Sequence, residues 1–127
     1  MSVGLVVVSH SERAAEGIVE VAAEMAGDTR LAAVGGDGRG GIGTVPDAIE
    51  AGIDAADDGD GVVVLVDLGS AVMNADVAVE ESDAEAVIAD APVLEGAVNA
   101  AVAATDPSAT LDSVRGQAEA ARDLTKL

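Results

Sequence analysis

The stretch GLVVVSHSERAAEG, residues 4–17, joins an unbroken apolar run to a helix-like pattern and holds the only histidine of the chain. The run up to Val8 lacks polar alternation, which is typical of a parallel strand that is covered on both faces. From Glu12 onward acidic residues recur at every fourth position, as on the solvated face of a helix. A buried strand that leads directly into a helix begins a βαβ unit and predicts an α/β fold.

The alternation of strands and helices continues along the chain. Strands are predicted at 3–8, 31–35, 61–66 and 86–90, and helices at 12–26, 46–58, 71–81, 92–104 and 111–125. This order predicts one domain, residues 1–127, with an open, mostly parallel sheet and helices on both faces. Right-handed crossovers leave few topologies, and we expect strand order 2-1-3-4.

Apolar residues at helical spacing predict which face of each helix packs on the sheet. The predicted contact residues are Ile18, Val21, Ala22 and Met25; Ile49, Ile53 and Ala56; Leu94, Ala97, Val98, Ala101 and Val102; and Leu111, Val114, Ala118 and Ala121. The last group would also suit helix packing between two copies of the chain, so a homodimer is a second interpretation of it.

The composition is strongly acidic, with 24 Asp and Glu against 6 Lys and Arg and a net charge of −18. Such a charge argues against a nucleic-acid partner, whose phosphates would be repelled. The acids are spread over most predicted helices, which favours a halophilic, salt-adapted surface over an acidic face for one basic partner. In about 1 M salt the Debye length is only about 3 Å, so spaced carboxylates hardly repel each other.

Other sequence classes are excluded by what the chain lacks. It contains no aromatic residue and no cysteine, so we expect an aliphatic core and no thiol chemistry. Neither a charged leader nor an apolar run of membrane-spanning length is evident. We therefore expect a cytoplasmic protein without a membrane partner.

In the 2-1-3-4 order, the first and third strands are neighbours and their carboxyl ends form the switch point at which such sheets bind ligands. His10 follows the first strand and Asp67 follows the third. A carboxylate that holds one ring nitrogen leaves the other free as a nucleophile. The alternative is a histidine near a helix start without a chemical task.

Groups that would bind an anion accompany this pair. Gly69 and Ser70 open the helix after the third strand, where backbone N–H groups attract anions, although LGS also fits a plain turn with Ser70 as N-cap. Ser11 flanks His10 and is a further candidate phosphate ligand. Ser9 forms a capping-box pattern with Glu12, which favours a structural role for Ser9. A nucleophilic imidazole beside an anion site predicts phosphoryl transfer.

The glycine-rich loop 35–44 contains a G-x-G-x-x-G match that we discount as a dinucleotide fingerprint, because surrounding glycines make a chance match easy. We expect a mobile loop near the site, with Thr44 capping the next helix and available to phosphate. With one histidine and no cysteine, no metal site is expected.

Four motifs, VVSHS (7–11), GIGT (41–44), VDLGSA (66–71) and APVLEG (91–96), occur in the order and spacing of a known family. Across roughly residues 3–120 the chain resembles the enzyme IIA-type domain of DhaM, the phosphotransfer subunit of dihydroxyacetone kinases, and the related mannose-family IIA domains of the phosphoenolpyruvate-dependent phosphotransferase system. The resemblance implies an open α/β fold, usually dimeric. It places the active histidine at His10 and the orienting acid at Asp67.

The resemblance also implies a function, a phosphotransferase subunit linked to glycerol metabolism. His10 would accept a phosphoryl group from HPr and pass it to ADP on DhaL, while DhaK binds dihydroxyacetone. No cofactor is expected beyond the transient phosphohistidine. DLGSA departs from the sugar-import relatives, which favours the kinase. Two alternatives remain open: a mannose-type sugar-import IIA domain, and a non-enzymatic sensor of phosphorylation state that binds a regulator.

Overall fold

A computed structural model describes all 127 residues, and its helices lie around one sheet. The elements are β1 (Gly4–Ser9), α1 (Glu12–Ala23), β2 (Leu31–Gly35), α2 (Pro46–Ala56), β3 (Val62–Val66), α3 (Ser70–Glu81), β4 (Ala86–Ile88), α4 (Val93–Ala104) and α5 (Leu111–Ala120), with a 3₁₀ turn at Ala121–Asp123. The four strands are parallel in the order β2-β1-β3-β4. The predicted α/β class and strand order are confirmed.

Both faces of the sheet are covered, as the continuous apolar runs predicted. Leu5 and Val7 of β1 face a core formed with α1, α4 and α5. Val6 and Val8 face the opposite core, formed with α2 and α3. All six residues of β1 are buried. The strand therefore lies at the centre of the molecule, and the residues that follow it are held between two packed layers.

Predicted helix faces are correct for α2 and α5 and wrong in part for α1 and α4. Val21 and Met25 of α1 are about half exposed, and Leu94 and Val102 of α4 are also exposed. Ala22, Ala97 and Ala101 are buried as predicted, and the other buried hydrophobic positions are also alanines, namely Ala15, Ala26, Ala100 and Ala104. Small side chains let a helix approach the sheet closely, so the larger apolar residues lie at the margins of each contact.

Several predicted C-terminal ends are two to five residues too long. α1 stops at Ala23 and is followed by turns, with Gly27 at φ +57. β4 covers only Ala86–Ile88, and α5 gives way to the 3₁₀ turn after Ala120. None of the helices has the length and apolar character that a membrane crossing requires.

Candidate functional site

His10 and Asp67 are brought together by the pairing of β1 with β3. Val8 lies opposite Val66 in the register, and the backbone N–H of Asp67 donates to the carbonyl of Val8 over 3.1 Å. Ser9 and His10 follow Val8, and Asp67 follows Val66, so all three residues lie at the carboxyl edge of the sheet. There the Nδ1 atom of His10 lies 3.0 Å from Oδ1 of Asp67. The predicted juxtaposition therefore exists.

The carboxylate of Asp67 accepts two further hydrogen bonds through Oδ2. The backbone N–H of His10 donates over 3.0 Å and the hydroxyl of Ser9 over 2.8 Å. Because one carboxylate holds both the backbone and the ring of His10, the imidazole is fixed in position and in rotamer. These donors also set the charge of Asp67. Burial alone would raise its pKa, but the hydrogen bonds from the backbone and ring of His10 and from Ser9 bring the pKa below its ordinary value.

The capping-box prediction for Ser9 is wrong. Ser11 is the N-cap of α1, and its hydroxyl accepts from the N–H of Ala14 over 3.2 Å. Ser9 is 2% exposed and forms part of the site: its hydroxyl donates to Asp67 and accepts from the N–H of Ser11 over 3.1 Å. A buried hydroxyl needs such partners, since an unsatisfied polar group in the core is costly.

The second ring nitrogen of His10 faces outward. A carboxylate only accepts hydrogen bonds, so Nδ1 carries the hydrogen and Nε2 carries the lone pair. The hydroxyl of Ser70 lies 3.0 Å from Nε2 and donates to it. The side chains of His10 and Asp67 are each 21% exposed. The contact at Nε2 is exposed and the contact at Nδ1 is partly buried, so a reactant can reach the ring through Nε2.

Backbone donors lie beside Ser70, at the start of α3. Gly69 is the N-cap residue and Ser70 is the first helical residue, so the alternative of Ser70 as N-cap is wrong. The N–H groups of Ala71 and Val72 bond the carbonyls of Leu68 and Gly69. Those of Gly69 and Ser70 donate to no protein atom. Unpaired N–H groups at a helix N-terminus are where anions bind, and binding of phosphate by Gly69 and Ser70 stays a prediction.

Thr44 does not cap α2. Val45 is the N-cap and provides no side-chain hydrogen bond. The hydroxyl of Thr44 instead accepts from Nδ2 of Asn74 over 2.7 Å, which ties the glycine-rich loop to α3. The same loop is tied to His10, because the N–H of Gly43 donates to the carbonyl of His10 over 2.9 Å.

Three residues of this region were missed as site residues: Ser9, Gly43 and Asn74. Asn74 follows Ser70 by four positions on α3, so helical spacing placed both on one face. Ser9 was noted only as a cap, and Gly43 only within GIGT. Among the other residues proposed to bind phosphate, Ser11 is one residue from His10, but its hydroxyl makes no hydrogen bond to the imidazole. No cluster of three or more potential metal ligands is present.

This geometry accompanies a clear similarity to known proteins. Residues 4–114 match the family model EIIA-man, described as the PTS system fructose IIA component. The chain belongs to this family. The resemblance inferred from the four motifs is thereby confirmed.

Two similar proteins carry related names. One is the PTS-dependent dihydroxyacetone kinase, phosphotransferase subunit DhaM, of Lactococcus lactis, which is 37% identical over 94% of this chain and 95% of that protein. Another is the phosphoryl donor subunit DhaM of PEP-dependent dihydroxyacetone kinase 2 of Listeria innocua, 38% identical over 79% of this chain and 84% of that protein. A crystal structure of a protein of unknown function superposes with a TM-score of 0.80 at 28% identity, covering 94% of each chain.

Proposed function

We propose that this chain is the phosphoryl donor subunit of a phosphoenolpyruvate-dependent dihydroxyacetone kinase. His10 takes a phosphoryl group from the carrier protein HPr and passes it to ADP on the kinase. The observation that carries the proposal is an accessible Nε2 lone pair on an imidazole whose Nδ1 is held by Asp67. That arrangement is what nucleophilic catalysis by histidine requires.

In the first step, Nε2 of His10 attacks the phosphorus of phosphohistidine on HPr in line with the bond that breaks. The new N–P bond forms on His10, and the imidazole of HPr leaves with the electron pair of the old bond. Nδ1 of His10 keeps its hydrogen throughout. The ring gains positive charge as it is phosphorylated, and the carboxylate of Asp67, 3.0 Å away, stabilises that charge.

The phosphoryl oxygens need donors while the phosphoryl group moves. Ser70 contacts Nε2 before the reaction, so the incoming phosphorus displaces that hydrogen bond and frees the hydroxyl for a phosphoryl oxygen. The unpaired N–H groups of Gly69 and Ser70 lie at the same helix start. Phosphoryl transfer depends mainly on such positioning and electrostatic stabilisation.

The second step regenerates the imidazole. ADP held by a kinase subunit of the DhaL type attacks the phosphorus of phospho-His10, the N–P bond breaks, and ATP forms for phosphorylation of dihydroxyacetone held by a DhaK-type subunit. The names of the relatives support this acceptor over an imported sugar. A phosphoramidate on imidazole is a high-energy bond, so transfer to a nucleotide is not uphill. HPr, DhaL and DhaK are cytoplasmic partners in this scheme.

The experiment follows the phosphoryl group through both steps. The chain is incubated with phosphoenolpyruvate, enzyme I and HPr, and acid-labile, alkali-stable label is measured on the wild type and on His10→Ala. We expect label on the wild type only. Retention of label by His10→Ala would refute the role of His10.

Phosphorylated protein is then mixed with kinase subunits, ADP and dihydroxyacetone, or with a mannose-type sugar-transport domain. Loss of label with formation of dihydroxyacetone phosphate supports the proposal. Label that leaves only to the transport domain would favour the sugar-import function instead. Label that leaves to neither acceptor would favour a sensor of phosphorylation state.

A further inference from the structure

Positive charge is scarce in this protein, and its distribution is uneven. Of the six Lys and Arg residues, four make ion pairs. These pairs are Arg30–Asp58, Arg115–Asp112, Arg122–Asp90 and Lys126–Glu95. Only Arg13 and Arg39 have no carboxylate partner, and both are exposed. In a chain of net charge −18, these are the two guanidinium groups that remain free to bind an external anion.

Arg13 and Arg39 belong to the two segments that border His10. Arg13 lies in the first turn of α1, three residues after His10. Arg39 lies in the loop 35–44, which is bonded to the carbonyl of His10 through Gly43. The first turn of α1 and the loop enclose an open groove of about 530 Å³, lined by Ser11, Glu12, Arg13, Glu16 and residues 40–42.

The single carboxylate of the loop, that of Asp37, makes no ion pair with Arg39. The Oδ1 atom of Asp37 accepts the N–H groups of Arg39 and Gly41 over 2.8 and 2.9 Å. The one acid of the loop is thus engaged by backbone donors, and those hydrogen bonds hold its pKa below the ordinary value. Gly38 and Gly40 flank Arg39 at φ +83 and +84, and a Cβ atom at either would meet nothing within 4 Å. The tip stands clear of the packed molecule.

We propose that Arg13 and Arg39 bind the oxygens of the transferring phosphoryl group. A guanidinium matches phosphate oxygens in a bidentate geometry. Without these two cations, the charged side chains nearest to His10 on α1 would be Glu12 and Glu16, on a molecule of net charge −18. The inference rests on the proposed function, because it concerns the same transfer to His10.

The test compares variants that change charge equally. Arg13→Gln, Arg39→Gln and the double variant are compared with Arg115→Gln, whose side chain lies on α5 and is only 3.9 Å from Asp112. The rate of His10 phosphorylation by phosphorylated HPr is measured at low and at molar KCl. Thermal midpoints of all variants, measured in parallel, show that the fold is kept.

We expect each site variant to lose roughly tenfold in rate, as for loss of a charge-assisted hydrogen bond, and Arg115→Gln to match the wild type. The loss of rate should persist in molar KCl. There the Debye length is about 3 Å, which screens distant charges but not a guanidinium in direct contact with a phosphoryl oxygen. Rates equal to those of Arg115→Gln, or a deficit that vanishes in molar KCl, would overturn the proposed contact. A wild type that takes no label from HPr would overturn the proposed function and this inference with it.

Discussion

Asp67 is the residue on which the geometry of the site depends, since it accepts three hydrogen bonds from Ser9 and His10. In Asp67→Asn an amide NH₂ replaces one acceptor and faces a donor, so the ring loses its fixed position and its preferred tautomer. We expect the fold to remain and phosphorylation of His10 to slow by roughly one to several orders of magnitude, as for other carboxylates that hold catalytic histidines. Single-turnover labelling measures this rate, and a wild-type rate in Asp67→Asn would contradict the role.

The same carboxylate links stability to pH. The folded-state pKa of Asp67 is below its ordinary value because the hydrogen bonds from His10 and Ser9 outweigh the effect of burial. Its contribution to the free energy of unfolding is therefore present above the unfolded-state pKa of about 3.9 and is lost as the pH falls through the lower folded-state value.

We expect the stability difference between wild type and Asp67→Asn to shrink as the pH falls below about 4. Denaturant titrations at a series of pH values, all in molar KCl, measure it. The other carboxylates are present in both proteins, so the difference in the free energy of unfolding between wild type and Asp67→Asn isolates the contribution of Asp67. A difference that is unchanged at the lowest pH reached would mean that the hydrogen bonds to Asp67 do not favour its charged form.

At the residue scale, the pairing of His10 with Asp67 was predicted, whereas the hydrogen bond from Ser9 to Asp67 was not. His10 and Asp67 were found because each follows a recognisable apolar strand. Ser9 was not, because its partner Asp67 is 58 positions away and a capping-box pattern offered a local explanation. Local patterns cannot distinguish Ser9 from Ser11 as the cap; the choice depends on which hydroxyl the tertiary structure needs elsewhere.

At the scale of elements, the order of strands and α-helices was predicted throughout; continuous β-branched runs marked β1 and β3, and shorter apolar runs marked β2 and β4. Hydrophobicity predicted the contact faces of α1 and α4 only in part, because alanine contributes little to a hydrophobic pattern yet fills the closest helix–sheet contacts. Ala22 is buried whereas Val21 beside it is 48% exposed. The required side-chain size depends on the distance between helix and sheet, which no local pattern encodes.

Gly35, at the end of β2, shows how closely two elements approach the site. A Cβ atom there would lie 2.7 Å from the carbonyl oxygens of Ser9 and Ser11. We expect Gly35→Ala to cost about 1–3 kcal/mol in stability through overpacking. It should also slow labelling of His10, because the segment that carries His10 must shift.

Gly17→Ala is the matched control for this substitution. Gly17 lies inside α1, and a Cβ atom there would meet nothing within 4 Å. Alanine should therefore stabilise α1 by about 0.5–1 kcal/mol and leave labelling unchanged. Thermal unfolding and single-turnover labelling measure both effects. If Gly35→Ala behaved like Gly17→Ala, the close approach at Gly35 would not constrain the site.

At the scale of the whole molecule, the homodimer stays a prediction, but the stripe of α5 no longer supports it. Val114, Ala118 and Ala121 of the stripe that suggested it are buried in the chain's own core. Exposed apolar side chains occur on several elements, and α3 carries two of them about one turn apart, Met73 at 78% and Val77 at 46% exposed. We expect a dimer whose interface includes this region.

Light scattering in high salt at micromolar concentration measures the mass of the assembly. Met73→Asp should shift the mass toward the monomer, whereas Val102→Asp, a control at an exposed position of α4, should leave it unchanged. A monomer mass for the wild type would contradict the prediction.

Salt should control the stability of the whole molecule. Excess carboxylates leave a net charge of −18, and the four ion pairs of Lys and Arg neutralise few of them. Mutual repulsion among the remaining acids favours the expanded, unfolded chain in dilute buffer. At 1 M ionic strength the Debye length is about 3 Å, so most of that repulsion is screened in the folded state.

We therefore expect the thermal midpoint to rise strongly between low and molar KCl. A neutral sugar at matched osmolality separates charge screening from a general effect of excluded solutes, which also stabilise compact states. Screening predicts a large rise with KCl and a small one with the sugar. A midpoint that is flat in KCl, or that rises equally with the sugar, would contradict salt adaptation. The acidic surface would then favour the alternative interpretation, recognition of a basic partner.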